Sequence, residues 1–354
     1  MKITNKIVYK NLDQLFKDSP REPLDSEKRW VIFSDLHMGD GGSTDDFRTN
    51  SELFVSALQD HYFDKNYKLF LNGDVEELQR YPLKKIVRHW THVYELFAEF
   101  AKTDRLVKTI GNHDLELATL EEQPHGLKIH EGYRLGHRED DIFLFHGHQA
   151  SKKYQQHNEL VGFTLKYFAN PLGIKNYSVS HSSVKQFKIE KKLYHYSSKR
   201  NIISVIGHTH RPLFESMDKM DRMKYKIDQL CREHTEKKGD RASIEESIIA
   251  YKNELKKYHK ENEGLNVLNM IYHDIFHIPC LFNSGTVIGK RGMTCLEIDD
   301  KQIRLVHWFD KKLSKKYLKQ TGYAPERLGE SDFYRMVINE EPLDYIFTRI
   351  KFLS

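Results

Sequence analysis

Asp, His and Asn recur in five short clusters along the 354-residue chain, and each cluster follows directly on an apolar run. Ser34-Asp35-Leu36-His37 follows Trp30 to Phe33, and Asn72-Gly73-Asp74 follows Leu69 to Leu71. Gly111-Asn112-His113-Asp114 follows Leu106 to Ile110, His146-Gly147-His148 follows Ile142 to Phe145, and Gly207-His208-Thr209-His210 follows Ile202 to Ile206. Carboxylate, amide oxygen and imidazole together suit manganese, iron or zinc better than calcium, which prefers oxygen alone. A lone D-x-H or H-x-H arises often by chance, and a single histidine after an apolar run is ordinarily a satisfied structural residue. What points to a divalent-metal site is the whole set, each member placed alike. The count of 20 histidines favours the same chemistry.

The elements that must position these clusters follow from periodicity. Apolar runs of four to six residues bounded by Gly read as buried strands, and α/β folds bind ligands just beyond the carboxyl ends of such strands. Asp45 to His61 and Leu83 to Lys102 carry apolar residues at helical spacing, in the second case Leu83, Ile86, Val87, Val93, Leu96, Phe97 and Phe100. Helices between strands imply a layered α/β architecture. From Met217 to Glu263 the pattern is an antiparallel helical hairpin around Gly239-Asp240. Its seam is Met220, Met223, Ile227 and Leu230 against Ile244, Ile248, Tyr251, Leu255 and Tyr258, with a capping box at Ser243 and Glu246. Met293 to Phe309 reads as strands around Asp299-Asp300, and Pro342 to Leu353 as an amphipathic helix carrying Leu343, Ile346, Phe347, Ile350 and Leu353.

These readings divide the chain into a core of residues 1–150 and 201–309, a basic helical cap at 151–200, the inserted hairpin at 213–265, and an extension at 310–354 that carries the terminal helix. The cap is the most one-sided stretch in charge: Lys152, Lys153, Lys166, Lys175, Lys185, Lys188, Lys191, Lys192, Lys199 and Arg200 face only Glu159 and Glu190. Composition is that of an ordinary soluble globular protein, with hydrophobic residues at 39% and charged residues at 30%. Cys231, Cys280 and Cys295 form no C-x-x-C pair, so neither a disulfide framework nor a thiolate zinc site is expected, and a reducing cytoplasm fits. No signal-peptide pattern opens the sequence and no run of eighteen apolar residues occurs. A formal charge of +5 does not by itself argue for a nucleic-acid partner.

The order D-x-H, G-D-x-x-E, G-N-H-D, H-G-H, G-H-T-H closely resembles the signature of the calcineurin-like metallophosphoesterase superfamily, over roughly Trp30 to Thr286. The resemblance implies a sandwich of two mixed β-sheets flanked by helices, with a two-metal centre at the carboxyl edge of the strands. It implies that Asp35, His37 and His210 bind one cation, that Asn112, His146 and His208 bind the second, and that Asp74 bridges both. Two cations about 3.5–4 Å apart repel strongly, so a carboxylate and a hydroxide are needed between them. Cations at such a site bring the pKa of bound water to about 7, which makes hydroxide an in-line nucleophile on phosphorus, and neutralise the phosphate oxygens. Manganese is the favoured metal, with iron or zinc as alternatives.

His113, adjacent to ligand Asn112, is expected to donate a proton to the leaving oxygen, with Asp114 orienting its imidazole. His148 reads as an outer partner of the ligands or an ordinary polar contact, and Glu77 as a loop support or hydrogen-bond partner behind them. Asn283-Ser284-Gly285-Thr286 resembles the family's closing turn.

Spacing does not decide the substrate. A helical insertion before Gly207-His208-Thr209-His210-Arg211-Pro212 resembles the UDP-2,3-diacylglucosamine hydrolase branch, which cleaves a lipid-linked nucleotide pyrophosphate at the membrane surface. The basic cap would then meet lipid, with Leu160, Phe163, Leu165, Tyr167, Phe168 and Leu172 as apolar contacts and peripheral membrane association as the consequence. His113, where that branch has Arg, resembles instead general phosphodiesterases, nucleases and protein phosphatases. A nucleic-acid partner would use the same lysines and aromatics. The hairpin could also make an oligomer, or serve a non-enzymatic scaffold whose metal site is vestigial; a missing ligand would mark that case, and none is missing.

Overall fold

The computed structural model describes residues 2–120, 128–151, 183–217, 219–235, 240–261, 276–315, 318 and 324–354. In chain order they form α1 (Lys2–Asp18), β1 (Arg21–Pro23), β2 (Arg29–Phe33), α2 (Ser51–Ala57), β3 (Tyr67–Asn72), α3 (Leu83–His89), α4 (Thr91–Lys102) and β4 (Leu106–Thr109). Then come β5 (Ile129–His130), β6 (Gly132–His137), β7 (Asp140–Phe145), α5 (Ser183–Arg200), β8 (Ile203–Ile206), α6 (Lys219–Thr235) and α7 (Arg241–Glu261). The last are β9 (Leu281–Asn283), β10 (Met293–Ile298), β11 (Gln302–Asp310), β12 (Glu326–Arg327), β13 (Phe333–Pro342) and α8 (Leu343–Leu353).

Two mixed sheets flanked by helices result, the α/β sandwich expected from the sequence. One has the order β1-β6-β7-β8-β9 and the other β12-β13-β11-β10-β2-β3-β4-β5. Side chains alternate across a strand, so the parallel central strands feed two cores at once. Trp30, Ile32 and Phe70 point between the sheets, towards Tyr133, Leu135, Leu144 and Leu296. Val31, Phe33, Leu69 and Leu71 point outward, under Phe54, Tyr62, Val93, Phe97 and Phe100. A fully buried Phe such as Phe70 contributes roughly 1.5–3 kcal/mol, and this shared core fixes one sheet's edge against the other's. The outer face of the smaller sheet is closed by Val8 and Leu12 of α1 and Leu193 and Tyr194 of α5, while Leu343, Ile346 and Ile350 of α8 join the same core, with Phe347 stacked on His137.

β2, β3 and β4 run parallel, as do β7, β8 and β9. Every strand that ends in an Asp/His/Asn cluster therefore delivers it to the same edge of its sheet.

Several elements differ from the periodicity reading. The expected helix across Leu83 to Lys102 breaks at Trp90 (φ −98°, ψ 30°), whose indole N–H donates to Gly39 O at 3.0 Å and to Asp45 Oδ2 at 3.1 Å. The expected helix from Asp45 to His61 tightens to a 3-10 turn at Phe47–Asn50 and loosens to a π turn at Leu58–Phe63. Residues 310–354, expected as an extension with a terminal helix, also supply β12 and β13, and β13 pairs along the length of β11, making the larger sheet two strands wider. The hairpin forms with the expected seam: Met223, Leu230 and Tyr251 are buried against Ile227, Ile244, Ile248, Leu255 and Tyr258. Its second helix starts earlier than the Ser243–Glu246 box, because Asp240 Oδ1 takes the Ala242 N–H at 3.2 Å and leaves Ser243 inside the helix.

Of the stretch 151–200, residues 183–200 are the helix α5, with Ile189, Leu193, Tyr194 and Tyr196 in the core; Lys152, Lys153, Glu159, Lys166, Lys175 and the apolar contacts from Leu160 to Leu172 lie outside the described residues. Among the described residues no helix is long and apolar enough to cross a membrane.

Candidate metal centre

The strand ends do not simply continue into turns. Asp35, His37, Asp74, His208 and His210 all adopt the left-handed region, with φ of 55°, 48°, 52°, 65° and 55°. Each such non-Gly residue costs on the order of 1–3 kcal/mol and persists only where its surroundings over-determine it. Here the backbone supplies that determination. Asp35 N–H donates to Gly73 O at 3.1 Å, His37 N–H to Asp74 O at 3.0 Å, and Gly207 N–H to His146 O at 3.0 Å. The Asp35 carboxylate takes the His208 N–H at 3.1 and 3.0 Å, tying the two sheet edges together. Glycines fill the remaining gaps: a Cβ on Gly111 would lie 2.1 Å from Asp74 Oδ1, and one on Gly207 2.6 Å from Asp35 Oδ2.

The side chains so held converge on two adjoining positions. Asp35, His37 and His210 form one group able to hold a cation, and Asp74, His146 and His208 another, with Asp74 also grouped with His37 and His113. His210 Nε2 is 3.1 Å from Asp35 Oδ1, and His37 Nε2 is 3.9 Å from both Asp35 Oδ1 and Asp74 Oδ2. His146 Nε2 is 3.0 Å from Asp74 Oδ2 without hydrogen-bond geometry. Asp74 thus stands between the two histidine sets.

The donor atoms fit metal ligation. Asn112 Oδ1 and His208 Nε2 are buried and have no hydrogen-bond partner, a costly arrangement that metal ligation would relieve. His146 Nδ1 lies 2.8 Å from the Asn72 carbonyl, which fixes the tautomer with Nε2 turned to the site. His37 Nδ1 lies 2.9 Å from Glu77 Oε2, with the same effect on His37.

Protonation follows this packing. Burial opposes charge on Asp35 and Asp74, yet His210 and His146 beside the first, and His146 and His113 beside the second, hold both carboxyls down, Asp74 well below the usual range. Burial also works against charge on His146, but Asp74 and Asp35 outweigh it and raise the imidazole to about 10. Burial and the neighbouring His146 push His208 down to about 3.

A cation ligated by His146 Nε2 must displace the proton that keeps this ring charged below about pH 10. Raising the pH from 7 towards 9 should therefore strengthen manganese binding, by about tenfold per pH unit for each proton released. Calorimetric titration in two buffers of different ionisation enthalpy should show at least one proton released as manganese fills the site. Affinity and heat that ignore pH and buffer would contradict a charged His146 ring giving up its proton to the metal.

His113 sits at the mouth, its side chain 19% exposed. Its N–H donates to Asp74 Oδ1 at 2.7 Å and its Nδ1 lies 2.9 Å from the Glu77 carboxylate. Burial lowers its basicity, but Asp74 and Glu77 prevail and bring it to about 9, a protonated ring at neutral pH. The expectation that Asp114 orients this imidazole is corrected: Asp114 Oδ1 takes the Gly111 N–H and Oδ2 the Val75 N–H at 2.8 Å, stapling two metal loops. Burial and the nearby Asp74 raise Asp114 to about 7. Glu77 takes the orienting part instead, its carboxyl held at about 2 against burial by His113 and His37. The physical reason lies in chain direction: Asp114 turns back under its own loop, while Glu77, one short turn after Asp74, faces both imidazoles.

His148 is buried, its ring centroid 5.5 Å from that of His146 and 6.3 Å from that of His208. Asn283-Ser284-Gly285-Thr286 braces the other side: Thr286 Oγ1 donates to Asp35 O at 2.9 Å and Ser284 Oγ meets Ser34 Oγ at 2.7 Å. Unanticipated from sequence is a buried ion pair behind the site, Lys108 Nζ at 2.6 Å from both oxygens of Glu76, which also takes the Tyr94 hydroxyl at 2.8 Å. A lysine inside the apolar run from Leu106 to Ile110 was its visible signal.

No protein-family model and no curated protein matches the chain. Among solved structures it is similar to a conserved predicted phosphoesterase from Streptococcus pneumoniae, with 14% identity and a TM-score of 0.30 over 78% of this chain and 87% of that one. It is also similar to Vacuolar Protein Sorting 29 from Cryptosporidium parvum, with 12% identity and a TM-score of 0.33 over 80% of this chain and 91% of that one. Likenesses of that size carry no weight here, and the class of the protein rests on its own residues and geometry.

Proposed function

We propose that this chain is a dinuclear metal-dependent phosphoesterase, a hydrolase of phosphoester or pyrophosphate bonds. The observation that carries the reading is Asp74, placed between His37 and His146 where two groups of ligand atoms meet. Every one of the seven expected ligand positions, Asp35, His37, Asp74, Asn112, His146, His208 and His210, holds a donor, which favours an enzyme over a scaffold with a vestigial site. A pair of bound cations, manganese first and iron or zinc second, would supply acidified water and neutralise phosphoryl oxygens.

The protein's own part is positional and acid-base. The left-handed strand ends aim the carboxylates and imidazoles inward. Glu77 holds His113 by Nδ1, so Nε2 is the atom that gives a proton to the leaving oxygen. His113 and His210, part-exposed at 19% and 18%, mark the side from which substrate enters.

The substrate class is tested by hydrolysis with the manganese-loaded protein. UDP-2,3-diacylglucosamine comes first, with and without vesicles carrying anionic lipid, followed by other nucleotide pyrophosphates, cyclic nucleotides, single-stranded DNA and phosphopeptides. Preference for the lipid-linked nucleotide supports the pyrophosphate reading, and preference for DNA or phosphopeptide supports the nuclease or protein-phosphatase alternative. Absence of turnover on all of them and on bis(p-nitrophenyl) phosphate rejects the enzyme.

A further inference from the structure

Helix α5 is rich in lysine, yet its acidic residue Glu190 is fully buried and aimed at the loop that carries two expected ligands. Thr209, the residue between His208 and His210, donates its hydroxyl to Glu190 Oε1 at 2.8 Å. The same hydroxyl accepts from Asn283 Nδ2 at 2.9 Å, and Gln186 Nε2, one turn earlier on α5, donates to Thr209 O at 2.7 Å. Arg211, the residue after His210, pairs with Glu190. The hydroxyl and carbonyl of Thr209 and the guanidinium of Arg211 are thus engaged from outside the loop, while His208 and His210 on either side of Thr209 both hold left-handed backbone.

Such a tripeptide does not relax by itself into the geometry it shows; the Asp35 carboxylate on the His208 N–H restrains one end, and the grip on its centre adds a second restraint. A buried carboxylate is a poor source of stability compared with an apolar side chain of similar volume, and its best-attested use is fixing one arrangement among several.

We propose that Glu190 is a positioning residue of the metal centre, which acts through Thr209 to set the directions in which His208 and His210 present their imidazoles to the two cation positions. This rests on the dinuclear reading above. Glu190 holds the hydroxyl at the pivot between the two ligand rings, and its pairing with Arg211 holds the carboxylate in place as an acceptor for that hydroxyl.

The test is manganese titration by calorimetry, with thermal unfolding measured alongside, on the full chain and on Glu190→Gln, Glu190→Ala, Thr209→Ser and Thr209→Val. Glu190→Gln keeps an acceptor and Thr209→Ser keeps the hydroxyl, so both should bind manganese nearly as the parent does. Glu190→Ala and Thr209→Val should each weaken binding by about tenfold or more, the range for partners that orient metal ligands, and the double variant should be no worse than the weaker single. Tyr62→Phe, which cuts a buried hydrogen bond to Glu297 on another part of the larger sheet, supplies a variant of lowered melting temperature and unchanged affinity. Should Glu190→Ala fail to fold, Thr209→Val, which leaves the Glu190–Arg211 pair whole, decides the question.

Parent-like manganese affinity in Thr209→Val, or an equal loss in Tyr62→Phe, overturns the positioning role and leaves the dinuclear centre standing. A parent protein that takes up no manganese overturns both.

Discussion

Asp74→Asn should leave a folded protein that has lost at least about a thousandfold in kcat/KM, together with its pair of cations. The fold is spared because the amide oxygen can still take the His113 N–H that Asp74 Oδ1 takes now. What disappears is the negative charge between the two histidine sets, and with it the means of holding two cations close together. Substitutions at positions that merely orient ligands cost about 10–100-fold, so a shared ligand should stand well above them. The checks are metal content by elemental analysis and turnover of bis(p-nitrophenyl) phosphate. An Asp74→Asn protein that retains two cations and activity within tenfold of the parent would remove Asp74 from the centre.

His113→Ala should behave differently. If Nε2 serves the leaving group as proposed, with Nδ1 on Glu77, kcat should drop by about two to four orders of magnitude on an alkyl phosphoester that needs protonation. A p-nitrophenyl ester, which leaves well without a proton, should be nearly unaffected, and metal content should stay normal. The rival outcome is informative because His113 also groups with His37 and Asp74 as atoms able to hold a cation. Equal losses on both leaving groups, accompanied by lost metal, would make His113 a ligand rather than an acid. Glu77→Gln should reproduce part of the acid-specific loss, since it weakens the charge beside His113 Nδ1; it also touches His37, so its metal content has to be measured too.

The strand-and-cluster pattern was legible in the sequence because the buried parallel strands are largely apolar and end abruptly in polar residues. Ile142–Phe145 and Ile202–Ile206 announce β7 and β8 in this way. β1, β5, β6 and α1 left weaker marks: Arg21–Pro23 and Ile129–His130 are too short for periodicity, and Gly132–His137 alternates without an apolar run. The break at Trp90 was hidden because its cause is tertiary, an indole hydrogen bond to Gly39 and Asp45. At the site, residue types were legible and partners were not. Asp114 lies one residue from His113 in sequence and yet belongs to the Gly111 and Val75 amides, while Glu77, distant in the chain, reaches both His37 and His113. Adjacency in sequence said nothing about which way a carboxylate turns. Glu190 illustrates the same limit, since a lone acid in a basic helix reads as surface decoration until its burial against Thr209 is seen.

The paired-cation centre stands or falls on an anomalous diffraction map from crystals grown with manganese. Two peaks about 3.5–4 Å apart are expected, one against Asp35, His37 and His210, the other against Asn112, His146 and His208, with Asp74 touching both. A single peak, or manganese bound elsewhere on the protein with these side chains unmoved and unliganded, would contradict it.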